Sequence, residues 1–108
     1  MATFDEFMDL DIRVGRIISV EDFPEARKPA YKLAINFGPL GIKRSSAQIT
    51  ELYEKEDLVG REVVCVINFP PKQVADFVSE VLVLGVYTES GVVLLQPDRE
   101  VPLGAKIG

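Results

Sequence analysis

The run Lys43-Arg44-Ser45-Ser46-Ala47-Gln48 places two cations, two hydroxyls and an amide within six residues. On an exposed strand this set suits a phosphodiester chain, with cations on phosphates and hydroxyl and amide groups supplying adaptable hydrogen bonds. Arg13 and Lys32 are further candidate cations. The competing reading is a plain solvated strand face. Charge along the chain is segregated. Residues 1–25 hold seven acids against Arg13 and Arg16, residues 26–50 hold five bases and no acid, and residues 51–108 hold ten acids against five bases. Such segregation allows a local positive field on a chain whose net charge is −5.

A second group is apolar. Phe69-Pro70-Pro71, with Val74 and Phe77 close behind, falls in what reads as a loop, and Ile42 opens the facing strand. Apolar loop residues need cover from the core, a dimer partner or a bound polypeptide, and all three remain open at this stage. The prolines would also blunt strand addition at an exposed edge. Asn68 interrupts an apolar run; its amide either satisfies local backbone or faces a ligand.

Other chemistry is missing. The chain has no histidine, which removes Ser-His-Asp and Cys-His couples and His-ligated zinc. A single cysteine, Cys65, excludes an internal disulfide and a CxxC pair, and its place among valines reads as a small buried hydrophobe. Glu51, Glu54, Glu56 and Asp57 have neither acid–base nor calcium-loop spacing. No enzyme activity, metal or cofactor is expected. The N-terminus MATFDEFMDLD lacks the pattern of a signal peptide and no apolar run is long enough to span a membrane, so the expected compartment is the cytoplasm. Single-strand recognition usually needs exposed aromatics as well as cations, and a chain without tryptophan, whose Tyr and Phe fall mostly in core settings, is poorly supplied.

The elements that must position these groups are short. With 108 residues, 47% of them hydrophobic, the chain is expected to form one domain over 1–108. Thr3-Phe-Asp-Glu6 reads as a capping box opening one or two helical turns, with Phe4, Phe7 and Met8 on one face. Strands are expected over 12–20, with a bulge or bend at Gly15, then over 31–37, 42–49, 62–69, 81–87 and 92–95. Thr50 is expected to cap a helix over 51–57, and 72–77 to be a loop. Short strands with one helix between the third and fourth give an all-β class: a five-stranded OB-fold Greek-key barrel with short N- and C-terminal extensions.

The motifs now acquire a context. Asp11-Ile-Arg-Val-Gly-Arg-Ile17 and Lys28-Pro-Ala-Tyr-Lys-Leu33 resemble signatures of the tRNA-binding OB domain appended to methionyl- and tyrosyl-type tRNA synthetases. Gly41-Ile-Lys-Arg-Ser-Ser-Ala-Gln-Ile-Thr50, Asn68-Phe-Pro-Pro-Lys72 and Ser79-Glu-Val-Leu-Val-Leu-Gly85 resemble one subgroup, the free-standing bacterial chaperones linked to protein export. The resemblance covers essentially the whole chain. It implies a homodimer without catalytic activity that binds unfolded or precursor polypeptides beside the preprotein translocation ATPase, with tRNA as the alternative ligand. It assigns Asn68, Lys72 and Ser79 to one rim of the binding groove. It also makes Phe4, Phe7 and Met8, with Val101, Leu103 and Ile107 of the tail, counterparts of dimer-forming extensions.

Overall fold

The computed structural model describes residues 1–108. Helix α1 (Phe4–Met8) is followed by strands β1 (Ile12–Asp22), β2 (Tyr31–Asn36) and β3 (Ile42–Ala47). Helix α2 (Lys55–Leu58) leads to β4 (Glu62–Val66), β5 (Lys72–Val74), β6 (Phe77–Ser79), β7 (Leu82–Val83), β8 (Gly85–Thr88) and β9 (Gly91–Leu94). Five strands form one antiparallel sheet in the order β3-β2-β1-β4-β7. The sheet curls until its edges meet: Glu80 N–H donates to Arg44 O (2.8 Å), and the buried Ser45 hydroxyl donates to Val81 O (3.0 Å). The result is the expected OB-type barrel, nearly closed, with few helices.

Period-two alternation drives this assembly. In β2, Tyr31, Leu33 and Ile35 point inward while Lys32, Ala34 and Asn36 stay half-exposed. They join Ile17, Phe37, Leu58, Val63 and Cys65 in the main core, each such side chain stabilising the fold by roughly 1.5–3 kcal/mol when fully buried. β4 is buried at all five positions because a second cluster, Ile12, Val64 and Val66 with Leu10, Leu84 and Ile107, covers its outer face.

Four local expectations are corrected. Gly15 is not the bulge, since the register of β1 against β2 shifts between Ile17 and Ser19. Gly15 instead lets β1 pass close over Ile35 and Phe37, where a Cβ would lie 2.6 and 2.7 Å from their side chains. Thr50 caps nothing, because Tyr53 holds residues 50–53 in an irregular turn: its carbonyl accepts from Tyr31 Oη (2.8 Å) and its hydroxyl from Leu94 N–H (3.0 Å). The helix therefore starts after Glu54, whose N–H donates to the Asp57 carboxylate (2.9 Å). Residues 72–79 form the β5–β6 hairpin rather than a loop, turning at Ala75 with φ 53°. The 81–87 run is split, because Leu84 N–H bonds to Val64 O while Leu84 O accepts from Leu95 N–H, so the chain changes partner there.

The C-terminal tail lies along β1, with Gly104 N–H on Val14 O (2.8 Å) and Ile107 N–H on Ile12 O (2.8 Å). No helix is long and apolar enough to cross a membrane.

Candidate binding groove

A groove of about 1580 Å³ runs between the end of β3, the 25–30 turn, the β5–β6 hairpin and the start of β8. Its floor is built from small and branched apolar residues, Ala30, Ala47, Ile49, Val81 and Val83 among them, which the strand alternation brings to one seam. Phe69, Pro70 and Val74 form one apolar side. Polar and charged groups rim it: Ser46, Gln48, Lys72, Gln73 and Ser79, with Glu25, Arg27 and Lys28 across the mouth. A smaller polar pocket of about 380 Å³ continues it at one end, sharing Lys28, Gln48, Tyr87 and Val92. An apolar floor inside a polar rim suits an extended apolar segment whose backbone can bond at the edges.

The structure gathers some of the anticipated residues here and places others elsewhere. Gln48, Lys72 and Ser79 line the groove, as do Phe69, Pro70 and Val74. Ser79 Oγ also accepts from Ser46 N–H (3.0 Å), which ties the hairpin to the edge of β3. Pro71 and Ile42 are exposed outside the lining. Lys43 is half-buried and opposite Ile35 in register. Arg13 is occupied, its Nε on Asp11 Oδ1 (2.6 Å) and its Nη1 on Gly104 O (3.0 Å), where it fastens the tail to β1. Asn68 uses both ends of its amide, accepting from Asp11 N–H (2.8 Å) and donating to Asp9 O (2.7 Å), and so fixes the link between α1 and β1. Asn68 therefore satisfies backbone rather than facing the groove, but the backbone is that of Asp9 and Asp11, distant in sequence and not local.

Lys32, Arg44 and Phe77 meet on the outer face of β2 and β3. The Arg44 guanidinium stands 4.4 Å from the centroid of the Phe77 ring, and Lys32 Nζ is 5.8 Å from that ring and 4.9 Å from Phe23. Phe77 is buried, 3% exposed, so it is a core residue of the hairpin rather than a loop group open to a ligand. The bases of the 26–50 segment that have no ion pair or aromatic partner are Arg27, Lys28 and Lys43.

Sequence reasoning missed several lining groups. Leu82 and Tyr87 are 48% and 91% exposed, and Tyr87 with the 43% exposed Phe69 gives the groove aromatics that the core-like settings of Tyr and Phe in the sequence do not announce. The 81–87 run reads as one strand, and the partner change at Leu84 breaks its alternation before Tyr87, which lies at the surface. Leu82 carries no such signal in sequence.

The expected dimer residues divide in two. Helix α1 buries nothing, leaving Phe4 73% exposed with Phe7 and Met8 also exposed. Val101, Leu103 and Ile107 are half-buried in the tail laid along β1.

Comparison with known proteins agrees with this geometry. A family model described as "Putative tRNA binding domain" matches residues 12–106. The chain is similar to the chaperone CsaA from Bacillus anthracis str. Ames, at 57% identity and TM-score 0.94, covering 100% of this chain and 99% of that one. It is equally similar to the CsaA chaperone protein from Picrophilus torridus, at 56% identity and TM-score 0.95 over the full length of both. Against the methionine–tRNA ligase of Thermococcus onnurineus (strain NA1) it is 38% identical over 104 residues, which is 96% of this chain. The chain spans only 14% of that ligase's length. The resemblance drawn from the motifs, to the tRNA-binding domain and to its free-standing chaperones, is borne out.

Proposed function

Because the chain belongs to the tRNA-binding domain family, we propose that it is a non-enzymatic binding protein: a chaperone that holds unfolded or precursor polypeptides in the groove. The observation that carries this reading is the apolar floor and polar rim of the groove, on a chain that shares over half its residues with two chaperones along its whole length. Main-chain bonding at a polar rim over a non-specific apolar floor accepts many sequences, as a chaperone requires. The protein acts in the cytoplasm as a homodimer, assisting protein export with the preprotein translocation ATPase as partner. Support for the dimer is the uncovered apolar face of α1, on which Phe4, Phe7 and Met8 are all exposed. The test is suppression of aggregation of a chemically unfolded client at stoichiometric amounts. Aggregation that proceeds unchanged would end this reading.

The family match favours a second ligand, tRNA. The unpaired Arg27, Lys28 and Lys72 at the mouth, with exposed Phe69 and Tyr87 as platforms for bases, are the groups that would hold it. Labelled bulk tRNA titrated at low and physiological salt reads this directly. Binding that persists at physiological salt makes RNA the leading ligand, and binding that vanishes leaves the polypeptide. Replacing Lys43 and Arg44 by Ala tests the basic-strand reading: RNA binding should weaken and its salt slope flatten by about two at most, and an unchanged slope would reject these two residues.

A further inference from the structure

The β5–β6 hairpin is a wall of the groove that joins the barrel through β6 alone, along the edge of β3. Lys72, Gln73 and Ala75 are exposed and Val74 half-buried. Its strands are three residues each, too short to be stable alone. At its C-terminal end Ser79 and Glu80 bond to the edge of β3. Further out, one buried side chain holds it: Phe77, outside the main core, packed edge-on to Phe23 with ring centroids 5.5 Å apart over Ala30. Arg44 and Lys32 close over these rings at 4.4 to 5.8 Å. Cations held on aromatic faces lose that contact when the ring leaves.

We propose that Phe77, gripped by Arg44 and Lys32, is a latch that positions the β5–β6 hairpin as a movable wall, and that a polypeptide enters the groove by releasing it. The inference rests on the reading of the groove as a polypeptide site. It gives Lys32 and Arg44 a role as positioning residues, distinct from contact with phosphate. A short hairpin bonded to β3 only at its C-terminal end, and held toward its turn by Phe77 with Val74 beside it, opens more often than the ladder β2-β1-β4 behind it, and this supplies an entry route without unfolding the barrel.

The experiment uses the full chain, with Phe77→Ala and, as a surface variant that leaves the hydrophobic interior intact, the double substitution Lys32→Met, Arg44→Met; Lys106→Met, at an exposed lysine of the C-terminal tail, is the control. Hydrogen exchange at residues 72–79 should accelerate about tenfold or more in both variants, with β1, β2 and β4 unchanged. Association of reduced, carboxymethylated lactalbumin, followed by stopped-flow, should become at least about threefold faster, because opening no longer limits entry. The control should match the parent in both. Unchanged exchange at 72–79 in the double variant would refute the latch. Faster exchange with unchanged or slower association would refute entry through the wall. Should the parent bind no client, the chaperone reading fails, and the exchange measurement still decides the latch by itself.

Discussion

Gly15→Ala adds one methyl group at a close approach inside the barrel. The new carbon would stand 2.6 Å from Ile35 Cγ2, 2.7 Å from Phe37 Cε1 and 2.9 Å from Phe37 Cδ1, well inside the optimal carbon separation of about 3.5–4.0 Å. Both neighbours are 0% exposed, so neither has solvent-side space to move into. Overpacking of this kind costs about 1–3 kcal/mol, against which alanine recovers about 0.4–1 kcal/mol by restricting the unfolded chain. The backbone at Gly15 does not require a positive φ, so no conformational strain enters. The net loss is about 1–2 kcal/mol, which for a domain of this size lowers Tm by roughly 5–10 °C. Urea and thermal unfolding followed by far-UV circular dichroism measure it, with the urea slope unchanged. Phe37→Leu in the same background should relieve part of the clash, so the double variant should lose less than the two single losses added. A Tm at or above that of the parent, or strict additivity with Phe37→Leu, would refute the packing argument.

Two further perturbations follow from burial. Desolvation pushes the Cys65 thiol up to about 12 from the ordinary 9.0, so the fold favours its neutral form. Its contribution to stability is therefore complete below about pH 9 and is lost as pH rises from there toward about 12. The urea midpoint of the parent should accordingly fall more between pH 8 and pH 10.5 than that of Cys65→Ala, and iodoacetamide should label the thiol only after unfolding; prompt labelling of the native protein at pH 8 would contradict this. Deleting residues 1–8 removes no buried residue, so the barrel should melt within a few degrees of the parent, while light scattering should report the monomer mass. A retained dimer mass would place the interface away from α1.

Much of the barrel was legible because its signals are local. The alternation in 31–37, the β-branched run at 62–69 and the capping box at Thr3–Glu6 each act within a few residues, and the structure places β2, β4 and α1 on them, with β4 ending early at Val66. The hairpin at 72–79 was not legible, since its turn uses Ala75 at φ 53° without the Asn-Gly or Asp-Gly pair that announces such turns. The helix start moved from Thr50 to Glu54 because Tyr53 is claimed by Tyr31 and Leu94, 22 and 41 residues away.

The site divides in the same way. The sequence by itself determined the residue types: a cationic segment, an apolar Phe-Pro-Pro corner, and no histidine with which to build catalysis. It could not determine which of these groups were already committed. Asn68 is spent on the α1–β1 link, Arg13 on the tail, and Arg44 and Lys32 on the ring of Phe77. Each of these partnerships joins residues dozens of positions apart. They exist only once the sheet has curled and its edges have met, because a side chain's partners are set by closure of the barrel and not by its neighbours in the chain.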